Sequence, residues 1–181
     1  MRSATEPRPS SRPPAAAATD PSRMPLSEPI VLTPLEMALT EFVGRQRYDA
    51  GIKAGADPHK YGFEGDALTI CIEGCRGECA VAKALNAYWS GAGVDYANEE
   101  DVGRLQVRVT KHRTGRLLHR PTEQHLEDPW ILVVGEGDTY HLAGWMYGHE
   151  CRQERWLTAP AGRPPAYFVP QESLRQFKRA V

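Results

Sequence analysis

At 181 residues with 41% apolar content, the chain is long enough for one domain with a real core. A formal net charge of −1 excludes a bulk-basic nucleic-acid coat, so any nucleic-acid surface has to be a local patch. No segment reaches the ~18 consecutive apolar residues of a membrane span, the N-terminus lacks the apolar stretch of a signal peptide, and four cysteines are too few for a secreted disulfide framework; the expectation is a cytoplasmic protein with no membrane contact.

Met1 to Pro29 is rich in Pro, Ala, Ser and Arg and nearly devoid of large apolar residues, so its composition predicts a disordered tail over residues 1–30 and a single domain over 31–181. Thr33, Pro34 and Glu36 form a capping-box start, which predicts a helix from Pro34 to about Ala54. Leu35, Met37, Ala38, Phe42 and Ile52 are its apolar positions, and Arg45, Arg47 and Lys53 read as a solvated basic side. Gly55 to Gly65 is a loop with turn signals at Asp57-Pro58 and Tyr61-Gly62. Leu68 to Ile72 is short and apolar, equally a strand or a helix entry.

Gly74 onward reads as an amphipathic helix with Val81, Leu85 and Tyr88 at helical spacing, and Glu78 falls on that stripe. A carboxylate pointing into an apolar face is costly unless it is paired, protonated or metal-bound. Cys71, Cys75 and Cys79, spaced by four, fit neither a CxxC zinc pattern nor a ferredoxin run, and cysteines at that spacing also stack as small apolar groups on one helix face. A metal or redox site on these three, with Cys151 as a fourth ligand, and a zinc site of His141, His149 and Cys151 stay open as weaker readings. Asp101 then precedes a turn at Gly103 and a strictly alternating strand, with Leu105, Val107 and Val109 on one face and Gln106, Arg108 and Thr110 on the other.

Thr114-Gly115 is a turn, Arg116 to His119 reads as a strand continuing the meander, and Pro121 to Pro129 is a polar loop. Trp130 to Val134 is a nearly continuous apolar run, expected as a strand buried on both faces. Tyr140 to Tyr147 is the next strand, with Gly144 at a bulge; Ala166 to Val169 is a short edge strand, and Ser173 to Ala180 a final helix. The order of helices followed by strands is an α+β pattern.

The segments GCRGECAVAKAL, DVGRLQVR, GWMYG and PPAYFVPQ, in that order, resemble small proteins of phage and prophage neighbourhoods within the PD-(D/E)xK nuclease superfamily; the resemblance spans roughly Leu35 to Leu174. It implies a restriction-endonuclease-like core, N-terminal helices followed by a mixed β-sheet meander, and a Mg²⁺ (or Mn²⁺) site for DNA phosphodiester hydrolysis. Glu78, Asp101 and Gln106 are then the metal ligands, with Asp101 central and the Val107 carbonyl beside them. Gln106 stands where the superfamily usually has Glu or Asp and brings no negative charge. Arg108 stands in the lysine position; it stays protonated and cannot act as a general base, but it can grip a phosphate in two places. Arg108, Lys111 and Arg113 are the implied DNA contacts, and Glu99 and Glu100 are fallback ligands.

Two functions follow: a Mg²⁺-dependent endonuclease, or a catalytically inactive nuclease-like module that binds DNA or a phage-encoded protein partner. A homodimer is a further expected assembly. Hydrolysis requires Glu78, Asp101, Gln106 and Arg108 to converge on one concave site, and Gln106 and Arg108 lying across the sheet from Glu78 is the arrangement that speaks against it.

Overall fold

The computed structural model describes residues 27–57, 65–91, 101–160 and 162–177. Most of the predicted tail, part of the Gly55–Gly65 loop, Glu99 and Glu100, and the end of the predicted last helix lie outside the described residues. The architecture is α+β, with two long helices, a four-stranded mixed sheet and a smaller three-stranded sheet stacked as successive layers.

Helix α1 (Pro34–Lys53) begins as its sequence predicts. Thr33 Oγ1 accepts from the Glu36 amide, and Glu36 Oε2 accepts from the Thr33 amide at 2.6 Å. Its packing face differs from the expectation. Leu35 and Phe42 are 78% and 62% exposed, and Leu39 and Ile52 are also exposed, whereas the buried positions are Thr40, Gly44 and Gly51. The helix therefore docks through small residues. An ideal Cβ on Gly44 would stand 2.7 Å from the Ile72 Cα, so the backbones of α1 and α2 approach too closely for any other residue there.

Helix α2 (Ala67–Leu85) absorbs the ambiguous Leu68–Ile72 segment, because Asp66 caps it by accepting from the Leu68 amide. It ends at Asn86 in the left-handed conformation, φ 51°, so the predicted stripe stops short: Val81 is fully buried, but Leu85 and Tyr88 are exposed. Cys75, Cys79, Ala80, Val81 and Ala82 form its inner face.

The main sheet has the order β1-β5-β4-β2, from β1 (Ile30–Val31), β5 (Thr139–Tyr147), β4 (Pro129–Glu136) and β2 (Gln106–Thr110). The first strand lies at the predicted domain edge, and Ser27 before it bonds to Leu142 of β5. Strands β2 and β4 pair in parallel, and β4 and β5 are antiparallel. The β4–β5 register shifts between Leu132 and Val133, opposite Ala143, which gives the bulge expected near Gly144. Gly144 has φ 147°, and a Cβ there would meet Leu174 Cβ at 2.7 Å.

The continuous meander is corrected. Strand β3 (Leu117–His119) leaves the main sheet and joins a second sheet of order β3-β7-β6, with β7 (Ala166–Val169) and β6 (Leu157–Thr158). The link from β2 to its parallel neighbour β4 therefore passes through that second layer. Strand β7, expected at an edge, is central, because the prolines around it lie outside its paired residues. In place of the start of the predicted last helix there is one 3₁₀ turn, Gln171–Ser173, followed by Arg175 bridging backbone to backbone with Trp145.

Two cores result. Val107, Ile131, Val133, Tyr140 and Leu142 pack on α2, while Trp130, Leu132, Val134 and Met146 pack against Leu117, Val169 and Trp156 of the second layer. Strand β4, central and apolar from Trp130 to Val134, divides those side chains between them, as its sequence predicts.

Replacing a helical glycine with alanine ordinarily gains about 1 kcal/mol. Gly44→Ala and Gly77→Ala are expected to lose about 1–3 kcal/mol instead, measured by urea unfolding, because each added methyl overpacks a filled space. At Gly77 the obstacle is the Val109 Cγ2 at 2.1 Å, so Val109→Ala should rescue Gly77→Ala. At Gly44 the obstacle includes backbone, and Ile72→Ala should leave that loss largely in place.

Candidate functional site

Among the described residues strand β2 lies at the sheet edge, and the outward N–H and C=O of Val107 meet no neighbouring strand there. Side chains close them. Asp101 Oδ2 accepts from the Val107 amide at 2.6 Å, and Arg108 Nη1 donates to the Val107 carbonyl at 2.9 Å. Asp101 is held for this by the tight turn at Gly103, where Val102 and Leu105 bridge.

Glu78 reaches the same edge from α2. It is 5% exposed, and both its oxygens are engaged: Oε1 by Arg47 Nη1 at 2.6 Å, and Oε2 by the Trp89 indole N–H at 2.9 Å. Arg47 and Glu78 are buried to a similar degree, with side chains 11% and 7% exposed. Burial pushes the Glu78 carboxyl up, the Arg47 hydrogen bond opposes that rise, and the neighbouring Asp101 charge adds to it. Asp101 is likewise pushed up by burial, with the Val107 amide, Arg108 and Arg47 pulling it back. Burial disfavours the charge of Arg47, but the Glu78 carboxylate outweighs this and holds the guanidinium protonated.

Gln106 and Arg108 leave β2 from its other face, although the Arg108 guanidinium reaches back to the Val107 carbonyl beside Asp101. The Cα partners of Gln106 and Arg108 are Trp130 and Leu132, which belong to the core of the second layer, whereas Val107 and Val109 face α2. The expectation that all four residues converge is therefore corrected. Strand alternation does put Gln106 and Arg108 on one face, but it is the face away from Glu78, because the valines take the α2 side. Gln106 is buried at the start of the strand, and its Nε2 has no hydrogen-bond partner among the described residues. The Arg108 guanidinium lies 4.5 Å from the centre of the Trp130 ring and donates to Glu123 Oε1 at 3.0 Å. Of the expected metal ligands, Asp101 and Glu78 lie within mutual electrostatic reach, and the Val107 carbonyl accepts from Arg108.

Three residues of this seam escaped the sequence reading: Arg47, Trp89 and Glu123. For Arg47 a signal was present. It falls on the stripe Thr40, Gly44, Arg47, Gly51, which is the buried face of α1, so it is a core-facing cation and not part of a solvated side. Glu123 collects Arg108 and Arg120, and the Glu123 and Pro121 carbonyls accept from Arg152 Nη2, a clustering of distant residues that spacing does not encode. Of the implied DNA contacts, Lys111 and Arg113 are exposed at the turn after β2, while Arg108 is half-buried and engaged.

None of the four cysteines is in a disulfide, and the described residues contain no group of three or more His, Cys, Asp or Glu placed to hold an ion. Burial pushes the Cys75 and Cys151 thiols up to about 12, which keeps them protonated and poor ligands. His141 and His149 instead place Nδ1 against the Ser27 and Leu126 carbonyls. No helix among the described residues is long and apolar enough to cross a membrane.

His119 is the group with the clearest pH signature. It is fully buried at the end of β3, 4.6 Å from the Trp130 ring, and neither ring nitrogen has a well-formed hydrogen bond among the described residues. Burial lowers its pKa to about 4, against the pull of Glu123. The unfolded chain, with an ordinary histidine, binds a proton below about pH 6.5, whereas the fold resists protonation until about pH 4. Stability contributed by neutral His119 is thus present above pH 6.5 and lost as pH falls toward 4, by about 3 kcal/mol in all. Chemical unfolding at pH 7 and pH 4.5 should show this loss, and His119→Phe should shrink it. Glu78 and Asp101, with raised values, titrate in the opposite sense and do not produce an acid limb.

No family model matches the chain, and no curated protein or solved structure is significantly similar to it.

Proposed function

We propose that the chain is a restriction-endonuclease-like binding module that contacts DNA without cleaving it. The observation that carries this reading is the position of Gln106 and Arg108 on the sheet face opposite Glu78. Phosphodiester hydrolysis needs hard oxygen ligands and a phosphate-gripping group around one point. Here the glutamate is closed by Arg47 and Trp89, and the arginine is turned toward Trp130 and Glu123. What supports DNA as the partner is the resemblance to nuclease-like proteins together with the exposed cations Lys111, Arg113 and Arg116 around the turn that follows β2. Such cations neutralise backbone phosphates and carry no base specificity.

A second reading, Mg²⁺- or Mn²⁺-dependent endonuclease activity, is favoured by one feature. Asp101 Oδ1 makes no hydrogen bond to a described residue, and Asp101 lies beside Glu78, so the pair offers the start of a cation site. It lacks a third protein ligand among the described residues.

Plasmid nicking with Mg²⁺ or Mn²⁺, run beside Asp101→Ala, separates the two. The binding reading expects no cleavage above the Asp101→Ala background. It also expects duplex binding, read by fluorescence anisotropy, that weakens about tenfold from about 50 to 200 mM salt, as two phosphate contacts imply. Lys111→Glu with Arg113→Glu should remove that binding. Metal-dependent nicking lost in Asp101→Ala would install the hydrolytic reading, and salt-insensitive or absent DNA binding would turn the module toward a protein partner.

A further inference from the structure

The two cores have no residue in common, and the two sheets share no strand ladder. Trp130, Leu132 and Val134 of β4 meet Leu117, Val169 and Trp156 in the second core. The second sheet can therefore part from β4 without breaking a strand pairing in either sheet. Layers joined in this way open as separate cooperative units.

His119 stands at that joint. It pairs with Tyr167 of β7, and its ring meets the Trp130 ring of β4 at 61°. Both of its nitrogens are buried with no well-formed hydrogen bond among the described residues. A buried polar group without a partner costs stability that an apolar side chain of the same shape would not lose. The charged groups facing the ring are Glu123 and Arg120 from the loop after β3, Arg108 from β2, and Arg152. Tyr167 is the titratable neighbour on β7.

Glu123 is the carboxylate that answers a proton on this ring, and it is already engaged. Its Oε1 accepts from Arg108 at 3.0 Å and from Arg120 at 3.4 Å, and its backbone carbonyl accepts from Arg152 at 2.6 Å. The Arg108 bond ties β2 of the main sheet to the loop that leaves the second sheet. If Glu123 turns to an imidazolium, that tie is broken. If it stays, the charged ring is buried and unpaired until it reaches water. Both routes loosen the same joint, and neither touches α2, which packs on the other face of β4.

We propose that His119 is an acid latch: a proton on its ring parts the second sheet from β4 and bares the apolar face of Trp130, Leu132 and Val134, while α2 and the main sheet stay together. The latch is separate from the Glu78–Asp101 edge and does not depend on whether the module binds DNA. Cysteines report on both sides of β4. Cys151 is buried in the second core, whereas Cys75 and Cys79 lie on the inner face of α2.

The test uses the full chain at pH 7 and pH 4.5. The ring titrates at about 4 when closed, and in the open form near the ordinary ~6.5, so acid favours opening, by about fiftyfold over this interval. Dithiodipyridine, which labels thiols in acid, should modify Cys151 at pH 4.5 well before Cys75 and Cys79. Hydrogen exchange, corrected for its own pH dependence, should show β3 and β7 losing protection while α2 and β4 remain the better protected. His119→Phe should remove the acid sensitivity of both readouts, and His119→Met serves if the phenyl ring prevents folding. Cys151 and Cys75 labelled together, equal protection of the two layers at both pH values, or acid opening that persists without His119 would each overturn the proposal.

Discussion

The buried ion pair between Arg47 and Glu78 is the interaction on which the rest of this structure depends. It joins α1 to α2 at a point where both helices present little else that is polar, and it sits against the open edge of the main sheet. Taking two charges out of water costs several kcal/mol per ion, and mutual attraction repays this only with close geometry and further hydrogen bonds. Both conditions hold here. The contact is 2.6 Å, and the second glutamate oxygen receives the Trp89 indole. The pair also explains the unusual face of α1. A helix that must bring a guanidinium inward, past Gly44 and Gly51, can approach α2 closely only through small residues, which leaves Leu35, Leu39 and Phe42 on the outside.

From that pair the polar seam continues around the edge of β2. Asp101 closes the Val107 amide and Arg108 closes its carbonyl, so side chains satisfy the backbone groups that this strand turns away from β4. Arg108 then crosses to the second layer, where Trp130 and Glu123 fix it. The residues resembling a catalytic set are thus distributed over two faces and an edge, with Glu78, Asp101 and Arg108 each held by an internal partner, while the exposed cations lie elsewhere. Stability and recognition occupy separate parts of the molecule on this account.

Much of the layout was legible in the chain. The capping box at Thr33, the alternation of Leu105 to Thr110 and the apolar run of β4 each state a local rule, and local rules hold when no tertiary contact opposes them. The failures have one cause in common. Alternation shows that Gln106 and Arg108 share a face but not which layer takes it, and that choice belongs to the valines between them and to Gly77 opposite Val109. The apolar positions of α1 pointed to Leu35, Phe42 and Ile52 as its packing face, and packing selected the face carrying Thr40, Gly44 and Gly51 instead. Strand β3 continues the sequence order but leaves the sheet, because Leu117 and His119 bury in the second core while β4 already pairs with β2.

The central claim is that Glu78 is retained for the fold, and a double-mutant cycle on stability tests it most directly. Breaking a buried pair from one side leaves an uncompensated charge, so Arg47→Met alone should cost about 3–5 kcal/mol, while Arg47→Met with Glu78→Leu should return close to the parent, since well-packed apolar replacements of a buried pair are often neutral. Glu78→Leu alone should also be destabilising, because it removes the carboxylate that Arg47 Nη1 donates to in the buried seam. If Glu78→Leu alone instead stabilises the chain, and Mn²⁺ raises the melting temperature of the parent but not of that variant, the glutamate is held at a cost to the fold for a metal site, and the account is wrong.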